Sequence, residues 1–300
     1  MTRPVAVVGP TATGKTALGV ELALALGGEV VNADAMQLYR GMDIGTAKAT
    51  PGERRGVPHH LLDVLGVTET ASVAAYQRHT RAVVEGLLAA GTVPVLVGGS
   101  GLYVQAVLDD LRFPGTDEAV RARLSAEADA LGSGALHERL AVLDPAAAAA
   151  ILPSNARRIV RALEVLEITG EPFSANLPVP GPARYGAVLI GVDREVTELD
   201  ARVDLRVRRM FADGLAEEVR TLEEAGLRRG TTAARALGYQ QVLRVFDGEG
   251  DLAEAATATA RATRRFVRRQ RSWFRRDERI RWFDGAADGL TGRVLDALST

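Results

Sequence analysis

The 300-residue chain contains no cysteine, which excludes disulfides, thiolate metal sites and cysteine nucleophiles together. It has four histidines, His59, His60, His79 and His137. No two of them fall at a spacing that would set both over a metal on one helix face, so no zinc site is expected. The adjacent pair, in Val57-Pro58-His59-His60-Leu61-Leu62-Asp63, reads first as a loop packed against the core. No apolar run is long enough to span a bilayer. The first one, Val5 to Val8, ends at a glycine-rich turn, so neither a signal peptide nor a membrane association is expected and a cytoplasmic location is the default. Lysine is almost as scarce as cysteine: Lys15 and Lys48 stand against 35 arginines. A lysine that persists under such a bias is a candidate for chemistry.

What is present describes a globular protein, with 47% hydrophobic and 25% charged residues and room for one large domain or two modest ones. The net charge of −1 conceals an uneven distribution, because residues 261–281 hold ten arginines against two acids. A strongly basic segment therefore sits on an acidic body.

The pattern predicts a buried strand at Val5–Val8, a loop over 9–16 and a helix over 17–26 with Leu18, Leu22 and Leu26 on one face. Val30-Val31 predicts a second strand ending near Asp34. Residues 93–97 predict a third, followed by Gly98-Gly99-Ser100-Gly101. Strands alternating with helices imply an α/β fold, a doubly wound parallel sheet with ligands at the carboxyl ends of its strands, and the G-x-x-x-x-G-K-[ST] pattern of residues 9–16 makes it P-loop NTPase-like. After Phe113-Pro114-Gly115 the strand signal disappears, and helices are predicted over 117–131, 134–143, 146–150 and 155–169. A Pro-rich run, 171–182, then leads into a strand at 186–192. The organisation expected is a core of residues 1–113 and 184–300 carrying an inserted all-helical domain, 114–183. From 198 onward the chain reads as helical, and 261–283 reads as one helix. Its apolar stripe comes from Phe266, Trp273 and Ile280 at intervals of seven, with Val267 and Phe274 alongside.

Gly9-Pro10-Thr11-Ala12-Thr13-Gly14-Lys15-Thr16 fits G-x-x-x-x-G-K-[ST] between a strand and a helix, the context a phosphate loop requires. Its backbone amides can hold a diphosphate at the positive end of a helix, Lys15 adds a point charge and the Thr16 hydroxyl can ligate magnesium. Asp34, at the end of the second strand, can take a proton from a nucleophile at the same strand ends, or can simply cap the next helix. The third strand ends in glycines where ATP hydrolases carry an acid. Gly98 and Gly99 permit close backbone approach, and the Ser100 hydroxyl can bond a diphosphate oxygen, although a turn with no further role fits too.

These segments resemble the tRNA dimethylallyltransferases, also called isopentenylpyrophosphate transferases. The similarity covers the loop 9–16, Asn32-Ala33-Asp34-Ala35-Met36-Gln37-Leu38-Tyr39, Gly41-Met42-Asp43-Ile44-Gly45-Thr46-Ala47-Lys48 and Gly98 to Tyr103. It continues in order through 155–165, Leu237-Gly238-Tyr239-Gln240-Gln241 and Gln270-Arg271-Ser272-Trp273-Phe274-Arg275, so it spans about residues 4–283. The resemblance implies transfer of a dimethylallyl group from its diphosphate to N6 of the adenosine 3′ of the tRNA anticodon. The diphosphate would lie in the loop on Lys15 with Mg²⁺ at Thr16, and Asp34, Ser100 and Lys15 would be the catalytic groups. Ser100 replaces the family's usual threonine, keeping the hydroxyl but losing the methyl that restrains its rotamer.

The same resemblance implies tRNA contacts at Asp34, Ala35, Met36, Gln37, Ser100 and Arg121. On the helical insertion it implies Arg157, Arg158, Ile159, Val160 and Arg161. Later in the chain it implies Arg235, Gly238, Tyr239, Gln240, Arg268, Arg269, Gln270, Arg271, Trp273 and Arg275. Independently of family, ten arginines on one helix repel one another unless a polyanion neutralises them. On the insertion, pairing of its arginines with Glu164 or Glu167 competes with RNA contact. Arg194, Arg202 and Arg206 are left open between phosphate contact and packing at the edge of the core. The partners expected are tRNA and dimethylallyl diphosphate, acting on a monomer. A small-molecule kinase holding ATP in the loop is the principal rival. Transfer to free nucleotides and simple RNA binding are weaker ones.

Overall fold

A computed structural model describes residues 2–176 and 181–299, so positions 177–180 of the Pro-rich run lie outside the described residues. The chain forms two compact units, Met1–Leu108 with Pro182–Thr300, and Asp109–Gly181. No helix among the described residues is long and apolar enough to cross a membrane.

In the first unit, β1 (Val5–Val8) is buried at every position. Its residues alternate between the two faces of the sheet: Ala6 and Val8 enter one apolar cluster, Val5 and Val7 the other. Both faces are therefore covered, which is why the strand is a continuous apolar run rather than an alternating one. Full burial of such a side chain contributes about 1.5–3 kcal/mol. The chain continues through α1 (Lys15–Leu26), β2 (Gly28–Asn32), the short α2 (Pro51–Arg54) and β3 (His59–His60). It then forms α3 (Val73–Ala89), β4 (Val93–Gly98) and α4 (Gly101–Leu108).

The second unit is helical: α5 (Glu118–Leu131), α6 (Ser133–Leu143), α7 (Pro145–Ala150) and α8 (Ala156–Thr169). Asp117, Asp144 and Asn155 cap the backbone amides that open α5, α7 and α8. Leu124, Leu136, Leu140, Ile159 and Leu163 fill the core between these helices. Inside this unit the fully buried Glu164 side chain receives Arg121 at 2.8 Å, Arg161 at 2.9 Å and the Asp117 amide at 3.0 Å. Burial pushes its carboxyl upward, but the Arg121 and Arg161 guanidiniums and that amide outweigh burial and hold it below the usual range.

Replacing Glu164 by alanine should destabilise the helical unit by about 3 kcal/mol, the lower part of the range for breaking a buried pair, because both arginines can still reach water. A carboxyl held low contributes stability that is present at neutral pH and is lost as pH falls through the carboxylate range. The unfolding difference between wild type and Glu164→Ala should therefore shrink in acid. A urea midpoint that is unchanged at pH 7 would refute this role.

The chain returns to the first unit through β5 (Val188–Asp193), α9 (Val196–Ala212), α10 (Leu215–Glu224) and α11 (Tyr239–Phe246). It ends with α12 (Leu252–Phe274), β6 (Ile280–Asp284) and α13 (Leu290–Ser299). The sheet order is β3-β2-β4-β1-β5-β6, and every pairing is parallel. Because β4 lies between β1 and β2, the carboxyl ends of three neighbouring strands open onto one crevice, the usual ligand position in an open α/β sheet.

Two expectations are corrected. The span 261–283 is not one helix: α12 starts earlier, at Leu252, and stops at Phe274, and Ile280–Asp284 adds to β5 as a strand. The turn between them is fixed by the Asp277 carboxylate, which accepts the Arg279 amide at 3.1 Å. Apolar residues seven apart do not distinguish a helix from a helix followed by a strand, and the unpaired edge of β5 decides the outcome. Likewise His59–His60 is not a loop but pairs with Val30–Val31, and the His60 Nε2 lies 2.5 Å from the Glu29 carboxylate. Two residues are too few for any periodicity to announce a strand.

Candidate active site

The loop after β1 departs from ordinary backbone geometry at three points, Gly9 (φ 136°), Ala12 (φ 70°) and Gly14 (φ 104°). A Cβ on Gly9 would lie 2.2 Å from the Val192 carbonyl oxygen, so only glycine fits. The three arginines whose role the sequence leaves open hold this loop. Arg194 Nε donates to the Thr13 carbonyl at 3.1 Å, Arg202 Nε to the Ala12 carbonyl at 2.7 Å, and Arg206 Nη1 to the Thr11 hydroxyl at 3.2 Å. Packing of Leu199, Val203, Val207 and Val267 against Ala12 seats α9 and α12 at the loop. Carbonyls tied to guanidiniums on one side leave amides of the loop, apart from that of Thr11, to converge on the other.

Lys15 is buried, and its Nζ donates to the Pro10 carbonyl at 2.5 Å. Burial, with Arg206 nearby, lowers its pKa to about 7 against the opposing pull of Asp34. A cavity of about 340 Å³ opens here, and Lys15, Thr16, Asp34, Gln37, Arg206 and Gln270 are among the residues that line it. Arg206 and the exposed Arg55 are cations that sequence reasoning did not assign to the cavity, and Arg206 is the one in contact with the phosphate loop. Its spacing of four from Arg202 put the two on one helix face, but nothing in the sequence said what that face meets.

Asp34 caps the following turn, as one of its sequence readings has it, and it lies on the cavity, where the other reading needs it. Its carboxylate accepts the Met36 amide at 2.9 Å, at the start of the turn Met36–Leu38. Burial raises its pKa, opposed by the Met36 amide and by Lys15. At the end of β4, the Ser100 hydroxyl accepts the Ala35 amide at 3.3 Å, which leaves its own proton available to donate. The glycines around it serve the protein's own packing. A Cβ would lie 2.1 Å from the Ala33 carbonyl oxygen at Gly98, 2.3 Å from Gln270 at Gly99 and 2.2 Å from Trp273 at Gly101.

The opposite wall includes Thr46, Ala47, Ala49 and Leu62. It is braced by Lys48, whose buried ammonium meets Asp43 and Asp63 at 2.6 Å each and the Tyr39 carbonyl at 2.9 Å. A second brace is Glu218, whose carboxylate accepts the amides of Asp43, Ile44 and Gly45 and the Tyr239 hydroxyl. Of the two lysines only Lys15 reaches the cavity.

The residues expected at tRNA divide sharply. Arg157 and Arg158 are exposed and border a groove with Arg121 and Arg161. Arg235, Arg268, Arg269, Trp273 and Arg275 are exposed, and Ala35, Met36 and Gln240 are half-buried. Gln37 donates to the Thr46 carbonyl at 3.1 Å. The side chains of Ile159, Val160, Tyr239 and Gln270 are buried, the first two in the helical core and Tyr239 beneath Gly45, and Gly238 is also buried.

Part of the positive charge of the late helix is met inside the protein. Arg264 pairs with Asp204, Arg268 with Asp200, and Arg271 and Arg275 with Asp193. Arg275 also stacks over Trp282, and Arg269 over Phe266. Three acids on α9 and β5, remote in sequence, offset part of the charge that counting along α12 leaves unbalanced. Arg161 takes the pairing with Glu164 that the spacing allowed.

A parallel sheet with a phosphate loop after β1 and a lysine and a carboxylate on one cavity defines a phosphate-loop α/β enzyme. The family model for the IPP transferases matches residues 37–277, and the chain belongs to that family; it is a transferase. It is 72% identical over 298 residues to the tRNA dimethylallyltransferase of Saccharopolyspora erythraea, covering 99% of this chain and 96% of that one. The crystal structure of the full-length tRNA isopentenylpyrophosphate transferase from Bacillus halodurans aligns with a TM-score of 0.74 at 39% identity, over 100% of this chain and 96% of that one. A eukaryotic dimethylallyltransferase acting on tRNA, 22% identical, shares the fold with a TM-score of 0.84 over 100% of this chain and 79% of its own. The kinase alternative finds no support among these relatives.

Proposed function

We propose that this transferase moves a dimethylallyl group from dimethylallyl diphosphate onto N6 of the adenosine beside the anticodon of tRNA. The observation that carries the reading is the convergence of Lys15, Arg206 and Asp34 on one cavity, two cations suited to a diphosphate and one acid suited to an amine. In the step proposed, the N6–C1 bond forms as the allylic C–O bond breaks, the N6 proton passes to Asp34 and the electron pair leaves with pyrophosphate. Lys15, Arg206 and the Ser100 hydroxyl stabilise the charge that develops on the departing oxygen.

Magnesium is compatible with these residues. No cluster of three or more acidic or histidine side chains that could hold a metal occurs among the described residues. A magnesium ion would therefore rest on the exposed Thr16 hydroxyl, water and diphosphate oxygens, a coordination that suits it. When bound it supplies neutralisation of the leaving group.

Transfer of label from radioactive dimethylallyl diphosphate to unmodified tRNA, run beside an assay for ATP consumption with free nucleosides, tests the reading. Labelled tRNA without ATP use is the expected result, and ATP consumption without transfer would overturn it. On the helical unit, Arg157 and Arg158 lie clear of any ion pair described among the residues and are the phosphate contacts we favour. Removing both should lower tRNA affinity and reduce the slope of log K against log salt by about 1.5. An unchanged slope would assign them to the solvated surface.

A further inference from the structure

Two pieces of backbone that the proposed chemistry uses together, the phosphate loop after β1 and the turn after β4, are joined by a side chain that belongs to neither. Gln270, on α12, is 5% exposed. Its Oε1 accepts the Thr11 amide at 3.0 Å and its Nε2 donates to the Gly99 carbonyl at 2.9 Å. The amide can sit only one way round, since the flipped orientation would set donor against donor and oxygen against oxygen. Gly99 has no side chain because Nε2 occupies the space where a Cβ would be, and one residue beyond Ser100 the ring of Trp273 does the same at Gly101. The contact is therefore built from both sides. It also has a chemical consequence: the Thr11 amide, engaged by Gln270, is withdrawn from the amides that can meet an anion.

The helix that carries Gln270 separates its residues by direction. Arg268, Arg269, Trp273 and Arg275 are exposed, while Gln270 is buried and lines the cavity. The resemblance that groups residues 268–275 as RNA contacts therefore covers positions that face elsewhere, Phe274 in the core and Gln270 at the cavity.

We propose that Gln270 is a positioning residue for the leaving diphosphate rather than a contact to RNA. By pinning Thr11 and Gly99 to one amide it fixes the separation between the phosphate loop and the Ser100 hydroxyl, so that both can act on the same diphosphate. The inference rests on the function proposed above for the identity of the anion, and it deepens that reading.

The test uses the whole protein and inorganic pyrophosphate with magnesium, titrated by calorimetry without RNA, alongside filter binding of unmodified tRNA. Gln270→Met keeps the length and removes both hydrogen bonds. It should weaken pyrophosphate binding by about tenfold, the scale of two lost hydrogen bonds, and raise the KM for dimethylallyl diphosphate in the same proportion. Its tRNA affinity should stay within about twofold of wild type, well inside a single hydrogen bond's worth. Gln270→Glu retains the acceptor for Thr11 but turns a carboxylate on the Gly99 carbonyl and on the bound anion. It should weaken pyrophosphate binding further than Gln270→Met. Equal pyrophosphate affinity in wild type and both variants overturns the inference, as does a loss confined to tRNA affinity. A lowered melting temperature with unchanged pyrophosphate affinity would mark a structural role and also overturn it. Failure of the wild-type protein itself to bind pyrophosphate would overturn the reading of the cavity as a diphosphate site, a result distinct from equal binding by all three proteins.

Discussion

Asp34→Asn should fold normally and bind tRNA with little change, yet transfer the dimethylallyl group about 10²–10⁴-fold more slowly, the range for removing a positioned general base. Asparagine preserves the local structure, because its side-chain oxygen can still accept the Met36 amide that Asp34 holds at 2.9 Å. Only the capacity to receive a proton is lost. Alanine would be a poorer choice, since it also removes the cap of the turn Met36–Leu38 and costs about 1 kcal/mol locally. The wild-type pH profile carries the second half of the expectation. Burial raises the pKa of Asp34, so the carboxyl protonates and the rate falls on acidification from a point above the ordinary carboxylate value of about 4. The asparagine variant should lack that acid limb. A near-normal rate, or the same acid limb in the variant, would remove Asp34 from the role of base.

The sequence could point to Asp34 because a phosphate loop and an acid at the ends of early parallel strands must share a crevice. That inference needs only the topology, and the placement of β4 between β1 and β2 satisfies it. Arg206 illustrates where such reasoning stops. It lies on α9, and its approach to Thr11 depends on how that helix packs against Ala12, a tertiary fact with no local signature. The two lysines show the same limit from the other side. Scarcity marks both as candidates, yet Lys15 lines the cavity and Lys48 spans two aspartates that brace its wall.

The fold was legible wherever a segment was long and its periodicity unambiguous, as in β1, β4 and the helices of the second unit. It failed where the decision was made by a distant edge or a distant charge. Ile280 fits a helical interval of seven from Trp273, but the free side of β5 captures it as a strand. Counting along α12 overstates its free charge, because Asp193, Asp200 and Asp204 on other elements pair with four of the arginines there and just beyond its end. Their pairing also alters what a charge-removal experiment on that helix would mean. Truncating Arg271 or Arg275 takes a partner from the buried Asp193, so any loss of RNA affinity in such variants must be separated from a loss of stability. The exposed, unpaired Arg157 and Arg158 give the cleaner measurement.

Lys15→Met should lower kcat/KM for dimethylallyl diphosphate by about 10²–10³-fold, the size of effect seen when one preorganised charge-stabilising donor is removed. The pH dependence separates this from simple loss of packing. Burial lowers the Lys15 pKa to about 7 in the ligand-free protein. Above that value the free enzyme carries a neutral amine, and a diphosphate, which favours the ammonium, must bind with uptake of a proton. Measured against Lys15→Met, which shares the pH dependence of the pyrophosphate ion itself, wild-type affinity should thus be nearly constant below pH 7 and fall about tenfold per pH unit above it, until the pKa of the bound state is reached. Lys15→Met should bind weakly and without that slope. Lys15→Arg, which stays charged throughout, should also lack the slope but retain more affinity. Arg206, cationic at every pH used, remains in all three proteins and supplies the affinity left to Lys15→Met. A ratio of wild-type to Lys15→Met affinity that is flat between pH 6 and 9 would show that Lys15 already holds its proton before the diphosphate arrives. The cavity's charge would then be fixed in advance of binding, and proton uptake would have no part in recognition of the donor.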